Sequence, residues 1–281
     1  MPQSTSQKVW FITGASKGFG YIWTEAALER GDNVAAAARN IASLDGLKAK
    51  YGDRLLPLAL DVGDKKAVDQ AVAKARKTFD RIDVAVNNAG YGLFGAIEEV
   101  SEAEARAQIE TNLFGALWVT QAVLPVMRAQ KSGHIIQISS IGGVWTLPTV
   151  GLYHASKWGL EGFSQALAAE VKLLGIKVTI VEPGGFATEW GTTSAHRAKT
   201  MPAYDAARAS LAEIRTQATP GDPAATGAVM LKLVDMKEPP LRIFFGNRGL
   251  PMIKQEYAER IATWEKWNDL SLEAQGHLAA H

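Results

Sequence analysis

The chain has 281 residues, with 30 Lys and Arg against 29 Asp and Glu and a formal net charge of +1. Hydrophobic residues make up 47% and charged residues 21%, a composition typical of soluble globular proteins. The balanced charge indicates no nucleic-acid partner, and the lack of any run of about 20 apolar residues indicates no membrane helix. Cysteine is absent, which excludes disulfides, iron–sulfur clusters and thiolate zinc sites. The polar residues 1–8 lead us to expect a cytoplasmic protein.

Short apolar runs alternate with helix-length amphipathic stretches along the chain. The runs predict seven strands buried on both faces, at residues 9–13, 33–38, 55–61, 82–87, 134–139, 177–182 and 241–245. The stretches between them predict helices at residues 19–30, 65–79, 102–128, 151–174 and 223–236. This alternation is typical of the α/β class, with a parallel sheet covered by helices on both faces. We predict one domain over residues 1–281.

Two segments depart from this alternation. Residues 186–219 carry no further strand signal and include an Ala-rich helical stretch, so we predict a mobile lid over a site. The extension over residues 247–281 carries Tyr257, Trp264 and Trp267 at spacings that suit helical packing. For this extension we predict a C-terminal helix docked against the domain.

A glycine-rich turn joins the first predicted strand to the first predicted helix. Gly14, Gly18 and Gly20 let the backbone turn tightly and approach a pyrophosphate, to which the helix N-terminus offers N–H groups. Ser16 and Phe19 belong to the same turn. Glycines also serve turns and close packing, but a position between a strand and a helix favours dinucleotide binding.

The end of the second strand predicts which dinucleotide binds. An NAD site places an acidic side chain there for the ribose hydroxyl, whereas this chain has Ala38 followed by Arg39. Lys17, in the glycine turn, is expected to face the same ribose. Arg39 taken alone is also compatible with a solvated loop. Two cations without a carboxylate suit a 2′-phosphate, so we predict NADP(H) rather than NAD(H).

Further candidate cofactor residues follow the third and fourth strands, at the sheet edge where ligands of α/β proteins bind. Asp61 and Val62 come where a side chain can reach an adenine ring. Asn88, Ala89 and Gly90 follow the fourth strand beside the same crevice. Amides at a strand end also close turns, but this edge favours a role in binding.

Tyr153 and Lys157 lie four residues apart on a predicted helix, so the ammonium is expected near the phenol. A free phenol has a pKa of about 10. A nearby cation, together with oxidised nicotinamide, lowers that pKa and lets Tyr153 exchange a proton with a carbonyl oxygen. Ser140, which follows a strand 13 residues earlier, can polarise the same oxygen. Asn112 can position a water molecule or a bent backbone.

With these motifs in this order, the sequence resembles the short-chain dehydrogenase/reductase family from about residue 8 to residue 190. The resemblance implies a single doubly wound, seven-stranded Rossmann-like domain. It also implies a catalytic tetrad with Tyr153 as acid and base, completed by Asn112, Ser140 and Lys157. In this tetrad Lys157 also binds the nicotinamide ribose, and Asn112 holds a water of the proton relay. Ser140 is preferred to Ser139 because it directly precedes the turn and by its offset from Tyr153.

The resemblance also has implications beyond the tetrad. The cofactor is expected to meet Pro183, Gly184 and Thr188, the last at the nicotinamide carboxamide. Basic residues in the glycine turn and after the second strand mark NADP-binding members. Members commonly pair their two long helices between subunits, so a homodimer or homotetramer is expected. Phe19 departs from the family pattern, in which an aliphatic residue is usual.

Apolar and aromatic residues cluster around the predicted catalytic segment and lid. The predicted walls of the substrate pocket are Phe94, Val144, Trp145, Leu147, Phe186 and Trp190, with Tyr91 beside them. Because this set contains no Arg or Lys to bind a carboxylate or phosphate, we expect an uncharged hydrophobic ketone, aldehyde or alcohol. Phe186 and Trp190 are also compatible with a place in the core.

These observations predict an NADPH-dependent, reversible reduction of a hydrophobic carbonyl compound to an alcohol. A 3-oxoacyl-thioester, steroid or retinoid dehydrogenase is a narrower interpretation within the same family. A non-catalytic NADP-binding scaffold is the alternative from another class, and the complete Tyr, Lys, Ser and Asn set argues against it.

The histidines are not assigned chemistry. His154 is expected to point about 100° away from Tyr153 around the helix and to serve packing or the surface. His277 and His281 have the spacing of metal ligands, but no third ligand accompanies them, so no metal is predicted.

Overall fold

The computed structural model describes residues 7–192, 194–216 and 219–276 and is built around a parallel sheet. The strands are β1 (Val9–Thr13), β2 (Asn33–Ala38), β3 (Leu55–Ala59), β4 (Val84–Asn87), β5 (Leu93–Phe94), β6 (Gly133–Ile138), β7 (Ile176–Pro183), β8 (His196–Arg197) and β9 (Arg242–Phe245). Seven of them form the sheet, in the order β3-β2-β1-β4-β6-β7-β9, and every pairing in it is parallel. The predicted doubly wound α/β architecture is confirmed.

Alternate residues of β1 pack on opposite faces of the sheet, as the two-residue period of a strand requires. Trp10 and Ile12 belong to the core on one face, together with Trp23 of the first helix. Phe11 belongs to the core on the other face, together with Val123. Because both faces are covered, all five residues of β1 are buried, which explains the continuous apolar runs of the sequence.

The helices that flank the sheet have ends set by local signals. They are α1 (Gly18–Arg30), α2 (Asp45–Tyr51), α3 (Lys65–Phe79), α4 (Glu102–Ile109), α5 (Gly115–Gln130), α6 (Gly151–Val171), α7 (Asp205–Thr216), α8 (Thr226–Asp235), α9 (Gly249–Lys266) and α10 (Asn268–Gln275). Gly31, in the left-handed conformation with φ 101°, ends α1. At the start of α3, the Asp64 side chain accepts a hydrogen bond from the N–H of Ala67.

A π-helical turn, Glu110–Phe114, joins α4 to α5. The helix predicted over residues 102–128 is therefore one continuous helix that contains a widened turn. Such turns are rare and are frequent at functional sites. Asn112 lies in the middle of this turn and is buried.

Residues 186–219 differ from the sequence prediction because they contain a strand. β8 pairs in parallel with β5, and Phe186 forms an isolated bridge with Gly221. The N–H of His196 donates to Gly92 O at 2.9 Å, and the N–H of Ala198 donates to Phe94 O at 2.8 Å. The segment is thus attached by backbone hydrogen bonds to the chain that follows β4.

The C-terminal extension is helical, but the predicted docking against the domain is wrong for most of it. Trp264 is 65% exposed and Trp267 is 56% exposed. Contact with the domain is made at the start of α9, where Gly249 is buried, and by Arg260, whose guanidinium lies 4.9 Å from the Trp158 ring. The last five residues, with His277 and His281, lie outside the described residues.

Candidate active site

The glycine turn lies at the carboxyl end of β1, where the strand order reverses between β1 and β4. Gly14 and Gly18 have φ values of 66° and 55°, in the left-handed region that favours glycine. A Cβ on Gly20 would lie 2.3 Å from Gly14 O, so this close approach of the backbone requires glycine there. The turn has the tight backbone that a pyrophosphate-binding loop needs.

Asn88 and Thr13 hold the glycine turn against β4. The Nδ2 of Asn88 donates to Thr13 O at 3.0 Å and to Gly14 O at 3.1 Å. The Oγ1 of Thr13 accepts from the N–H groups of Asn88, at 3.0 Å, and of Ala89, at 3.1 Å. Thr13 was not predicted as a site residue, because a threonine at a strand end carries no distinguishing signal.

The N-terminus of α1 suits the phosphates of a nicotinamide dinucleotide. α1 begins at Gly18 after the extended Lys17, and no side chain caps its first turn. Its first N–H groups and the positive end of its dipole are therefore left for an anion. Together with the close backbone approach at Gly20, this arrangement fits the cofactor that the glycine turn predicted.

The two predicted phosphate-binding cations stand at the ends of β1 and β2. Arg39 is exposed and follows β2, which ends at Ala38 without an acidic residue. The Nζ of Lys17 pairs with Glu189 Oε2 at 2.9 Å, and both side chains are about half exposed. Glu189 lies within residues 186–219 and was not predicted, because nothing in its sequence context points to Lys17.

The other predicted cofactor residues also lie at strand ends. Asp61 is exposed, and its Oδ1 accepts a hydrogen bond from the N–H of Gly63 at 3.0 Å. Past the end of β7, the N–H of Gly184 donates to Phe245 O at 2.9 Å, and the N–H of Thr188 donates to Phe186 O at 2.8 Å. Ser16 is half-buried, whereas Val62 and Pro183 are buried.

Tyr153 and Lys157 are both buried on α6, each with 6% of its surface exposed. The Nζ of Lys157 lies 5.9 Å from the centroid of the Tyr153 ring. It donates to Ile138 O at 2.7 Å, which holds the ammonium at the end of β6. The structure thus brings the ammonium and the phenol together.

Burial shifts the pKa values of these two side chains in opposite directions. It raises the pKa of Tyr153 to about 12, although the hydrogen bond with Ser140 acts the other way. It lowers the pKa of Lys157 to about 8, against the attraction of the Glu161 carboxylate. The lowering of the phenol pKa expected from the cation together with oxidised nicotinamide stays a prediction, because in the protein alone desolvation of the phenolate dominates.

Ser140, rather than Ser139, faces the phenol. Its Oγ accepts a hydrogen bond from the N–H of Gly142 at 3.0 Å, and its hydroxyl is hydrogen-bonded to Tyr153. The buried hydroxyl of Ser139 faces Glu161 instead. The preference for Ser140 drawn from its place before the turn therefore agrees with the geometry.

Asn112 is only 1% exposed, and both the oxygen and the nitrogen of its side-chain amide form hydrogen bonds with residues outside the widened turn. Oδ1 accepts from the N–H of Tyr91 at 3.1 Å, and Nδ2 donates to Tyr91 O at 3.0 Å and to Ser156 Oγ at 3.1 Å. A Cβ on Gly90 would lie 3.1 Å from Asn112 Oδ1 and 3.7 Å from Lys157 Nζ. The Asn112 amide and the Lys157 ammonium thus flank Gly90. The four predicted catalytic side chains therefore lie close together.

Three of the predicted wall residues gather beside Tyr153. The ring centroid of Trp190 lies 4.8 Å from that of Tyr153 and 5.5 Å from that of Phe94. Leu147 packs on the same small apolar cluster. Val144 is buried and lines a cavity of about 220 Å³ beside β9.

Phe186 lies apart from this cluster. The ring of Phe186 lies 5.1 Å from that of Phe19, which stacks on Trp23 at 5.1 Å. Phe186 therefore packs against α1, because its bridge to Gly221 holds it on that side of the lid segment. Tyr91 and Trp145 are half-buried.

His154 is buried rather than on the surface, with 5% of its surface exposed. Its Nδ1 lies 2.8 Å from Gly142 O, and its Nε2 accepts a hydrogen bond from the N–H of Leu147 at 2.9 Å. Burial lowers the pKa of the ring, against the effect of the Gly142 carbonyl, which accepts from Nδ1. The ring of His154 nevertheless lies 5.9 Å from that of Tyr153, and the helical period does not show that the loop after Ser140 packs beside both.

Comparison with known proteins identifies the family. A family model described as short chain dehydrogenase matches residues 8–199. The chain belongs to this family. It is an oxidoreductase, and it is 42% identical over 269 residues to Oxidoreductase BOA17 of Botryotinia fuckeliana, covering 94% of this chain and 98% of that protein. It is 38% identical over 254 residues to the 3-ketodihydrosphingosine reductase of Bacteroides thetaiotaomicron, covering 88% of this chain and 90% of that protein.

Solved structures of the short-chain dehydrogenase family share the fold. A short-chain dehydrogenase from Streptomyces avermitilis is 38% identical, with a TM-score of 0.90 over 97% of this chain and 100% of that one. A serine dehydrogenase in its closed form, complexed with NADP+, is 28% identical, with a TM-score of 0.73 over 84% of this chain and 94% of that one. A family member from Burkholderia phymatum in complex with NAD is 21% identical, with a TM-score of 0.80 over 92% of this chain and 95% of that one.

Across residues 7–192, 194–216 and 219–276, no helix combines the length and the apolar character needed to span a bilayer. In the same ranges, no group of three or more His, Cys, Asp or Glu side chains has the arrangement of a metal site.

Proposed function

We propose that this enzyme uses NADPH to reduce a hydrophobic ketone or aldehyde to the corresponding alcohol, reversibly. The proposal rests on the surroundings of the Tyr153 phenol. Ser140 is hydrogen-bonded to it, and the ring of Trp190 lies 4.8 Å away in an apolar cluster. A proton donor beside an apolar wall suits an uncharged carbonyl compound.

The side chains have separate roles in this reaction. Tyr153 donates its proton to the carbonyl oxygen, and the Ser140 hydroxyl donates a hydrogen bond to the same oxygen. When bound, the reduced nicotinamide supplies the hydride to the carbonyl carbon. Lys157 stabilises the remaining phenolate by its positive charge and binds the nicotinamide ribose. The second lone pair of Asn112 Oδ1 is left for a water of the proton relay.

The preference for NADP(H) is supported by the basic residues near the predicted ribose site. Arg39 is exposed after β2, no carboxylate ends that strand, and Lys17 stands in the glycine turn. The NADP+-bound serine dehydrogenase shares the fold of this chain. We expect kcat/KM for NADPH to exceed that for NADH at least about 10-fold, because charged hydrogen bonds to a phosphate contribute about 1.5–3 kcal/mol. A preference for NADH would contradict the assignment.

The substrate class is supported by the wall of Phe94, Leu147 and Trp190, which carries no charge. One relative is named for the reduction of a keto compound, 3-ketodihydrosphingosine. NADPH oxidation should be screened against hydrophobic aldehydes, aryl ketones, steroids and acyl thioesters, with keto acids and sugar phosphates as the charged comparison. Charged substrates that are orders of magnitude better would overturn the proposal.

Replacement of Tyr153 by Phe tests catalysis itself. We expect Tyr153→Phe to lose at least about 100-fold in kcat, the usual contribution of a positioned acid, and to keep its affinity for NADPH. Tyr51→Phe is the matched control, because Tyr51 is a buried tyrosine of α2. A wild-type protein that binds NADPH but turns over none of the panel would favour the scaffold alternative.

A further inference from the structure

We propose that His154 is a positioning residue of the active site, held as the neutral Nδ1–H tautomer, and that it fixes the loop that follows Ser140 through two separate hydrogen bonds. The loop comprises residues 140–147. The effect of His154 on catalysis rests on the proposed function, whereas its hydrogen-bonding state does not.

The partners of the two ring nitrogens determine the tautomer. Nδ1 lies 2.8 Å from Gly142 O, and a carbonyl oxygen can only accept, so Nδ1 carries the hydrogen. Nε2 lies 2.9 Å from the Leu147 nitrogen, and an amide N–H can only donate, so Nε2 presents its lone pair. Both bonds form together only in the neutral ring with its hydrogen on Nδ1.

The bond to Gly142 acts on the catalytic end of the loop. The carbonyl of Gly142 accepts from His154, and its N–H donates to Ser140 Oγ at 3.0 Å. A Cβ on Gly142 would lie 2.8 Å from His154 Nδ1, so the imidazole packs directly on this peptide. The position of the Ser140 hydroxyl beside Tyr153 therefore depends on the hydrogen bond that the ring donates.

The bond to Leu147 acts on the other end of the loop. Leu147 packs on the cluster that contains Phe94 and Trp190, beside the Tyr153 ring. Its N–H is held by the acceptor nitrogen of His154. Through Nδ1 and Gly142, the imidazole thus holds the serine that contacts the carbonyl oxygen. Through Nε2 and Leu147, it holds the apolar wall that contacts the substrate.

Two substitutions separate these bonds. The Nδ2 of Asn can take the place of Nδ1, so His154→Asn keeps a donor for Gly142 O and loses the acceptor for Leu147. The Oε1 of Gln can take the place of Nε2, so His154→Gln keeps the acceptor for Leu147 and loses the donor for Gly142. We expect KM for the carbonyl substrate to rise about 10-fold in His154→Asn, and kcat to fall about 10-fold in His154→Gln.

The control for burial is His134→Gln. His134 is 4% exposed, and its Nε2 is bonded to Thr179 Oγ1 at 2.9 Å, at the start of β6 and therefore at the opposite end of that strand from the loop. We expect this variant to lower the melting temperature without separating KM from kcat. The affinity for NADPH should match the wild type in all three variants. Losses of kcat and KM that are the same in His154→Asn and His154→Gln would overturn the proposal.

Two measurements need no substrate and therefore test the role of His154 independently of the proposed function. Nitrogen-15 NMR of the imidazole should show a protonated Nδ1 and an unprotonated Nε2. Hydrogen exchange at the Leu147 amide should be at least about 10-fold faster in His154→Asn and close to the wild type in His154→Gln. A protonated Nε2, or equal exchange in the two variants, contradicts the positioning role. If the wild type reduces no carbonyl compound, the proposed function fails and these two measurements decide the role of His154.

Discussion

Tyr153 and Lys157 stand one helical turn apart in a buried site, and burial makes each favour its neutral form. For Tyr153 this is an advantage in the direction of reduction. With a pKa of about 12 in the free protein, the phenol keeps its proton at neutral pH and can donate it. For Lys157 burial has a thermodynamic penalty, because the ammonium is charged at neutral pH in a site that disfavours charge.

We therefore predict that Lys157→Met stabilises the protein at pH 7 and greatly reduces turnover. The pKa of Lys157 falls from 10.5 to about 8 on folding, so below pH 8 the folded state bears the full penalty of the buried charge. The stability of the wild type accordingly rises between pH 8 and 10.5. Because the variant also loses the hydrogen bond to Ile138 O, the expected net gain in the free energy of unfolding at pH 7 is roughly 1–3 kcal/mol.

Denaturant unfolding at pH 7 and at pH 10 tests this prediction. The gain from Lys157→Met should shrink at the higher pH, because the wild-type lysine is then largely neutral in the folded state and no longer bears the penalty of a buried charge. Lys66→Met serves as the control, because Lys66 is exposed on α3. A Lys157→Met protein that is less stable than the wild type at pH 7 would show that the ammonium stabilises the fold.

At the scale of elements, residues 186–219 are attached to the body of the protein by one buried carboxylate as well as by β8. The Glu99 side chain is fully buried and accepts from the N–H groups of Ala96, at 2.7 Å, and of Met201, at 2.6 Å. It also pairs with Arg208 of α7 at 2.5 Å. Three donors converge on this carboxylate, and the hydrogen bonds and Arg208 lower its pKa against the effect of burial.

We predict that Glu99→Gln loosens this attachment, because the amide nitrogen of Gln has no acceptor among these three donors. An unsatisfied buried group costs about 1–3 kcal/mol. Hydrogen exchange in residues 199–208 should accelerate, while exchange in β1 stays unchanged. Glu102→Gln, the same change at an exposed glutamate of α4, should have a smaller effect. Equal exchange in the two variants would show that Glu99 does not hold the segment.

Most elements of the sheet could be read from the sequence because burial on both faces leaves long apolar runs. The predicted bounds of β1 and β2 agree with the structure, and α3 agrees because Asp64 marks its start. α2 was missed, because a helix of seven residues with two buried side chains, Leu47 and Tyr51, leaves little periodicity. β8 was missed because two residues carry no pattern at all.

The site was predictable where its residues share one local element. Tyr153 and Lys157 lie on one helix, so their spacing alone brings them together. The partners of His154 and Glu189 come from other segments, and no local pattern shows which loop packs on which helix. For the same reason the sequence leaves both a pocket wall and the core open for Phe186, and the structure packs it against α1.

At the scale of the molecule, the exposed apolar side chains of the described residues include two groups on helices. Phe114, 39% exposed, stacks on Trp118 at 5.8 Å on the long helix of residues 102–130. Along the extension, Trp264 and Trp267 are more than half exposed. The first group lies on one of the two long helices that members of the family commonly pair. We propose a homodimer or homotetramer that buries this group.

Sedimentation of two variants tests that assignment. We expect Phe114→Glu to shift the protein toward monomer, because a buried carboxylate in an apolar contact is strongly unfavourable. Trp264→Glu, on α9, should leave the oligomeric state unchanged. A wild-type protein that is only monomeric contradicts the proposal, and dissociation by Trp264→Glu alone would move the interface to the extension.

The widened turn Glu110–Phe114 also restricts where this protein can tolerate the deletion of a residue. A π turn holds one residue more than a regular α-helical turn, so deletion of one residue there closes the turn to a regular helix while α4 and α5 keep their relative orientation. Neither half is free to rotate, since a capping box at Ser101 fixes α4 and core side chains such as Val123 and Met127 fix α5. The additional residue therefore sets the register of the site. Deletion of one residue from this turn should remove all three amide hydrogen bonds of Asn112 at once. A deletion in a surface loop, by contrast, can be accommodated by a change of the loop backbone.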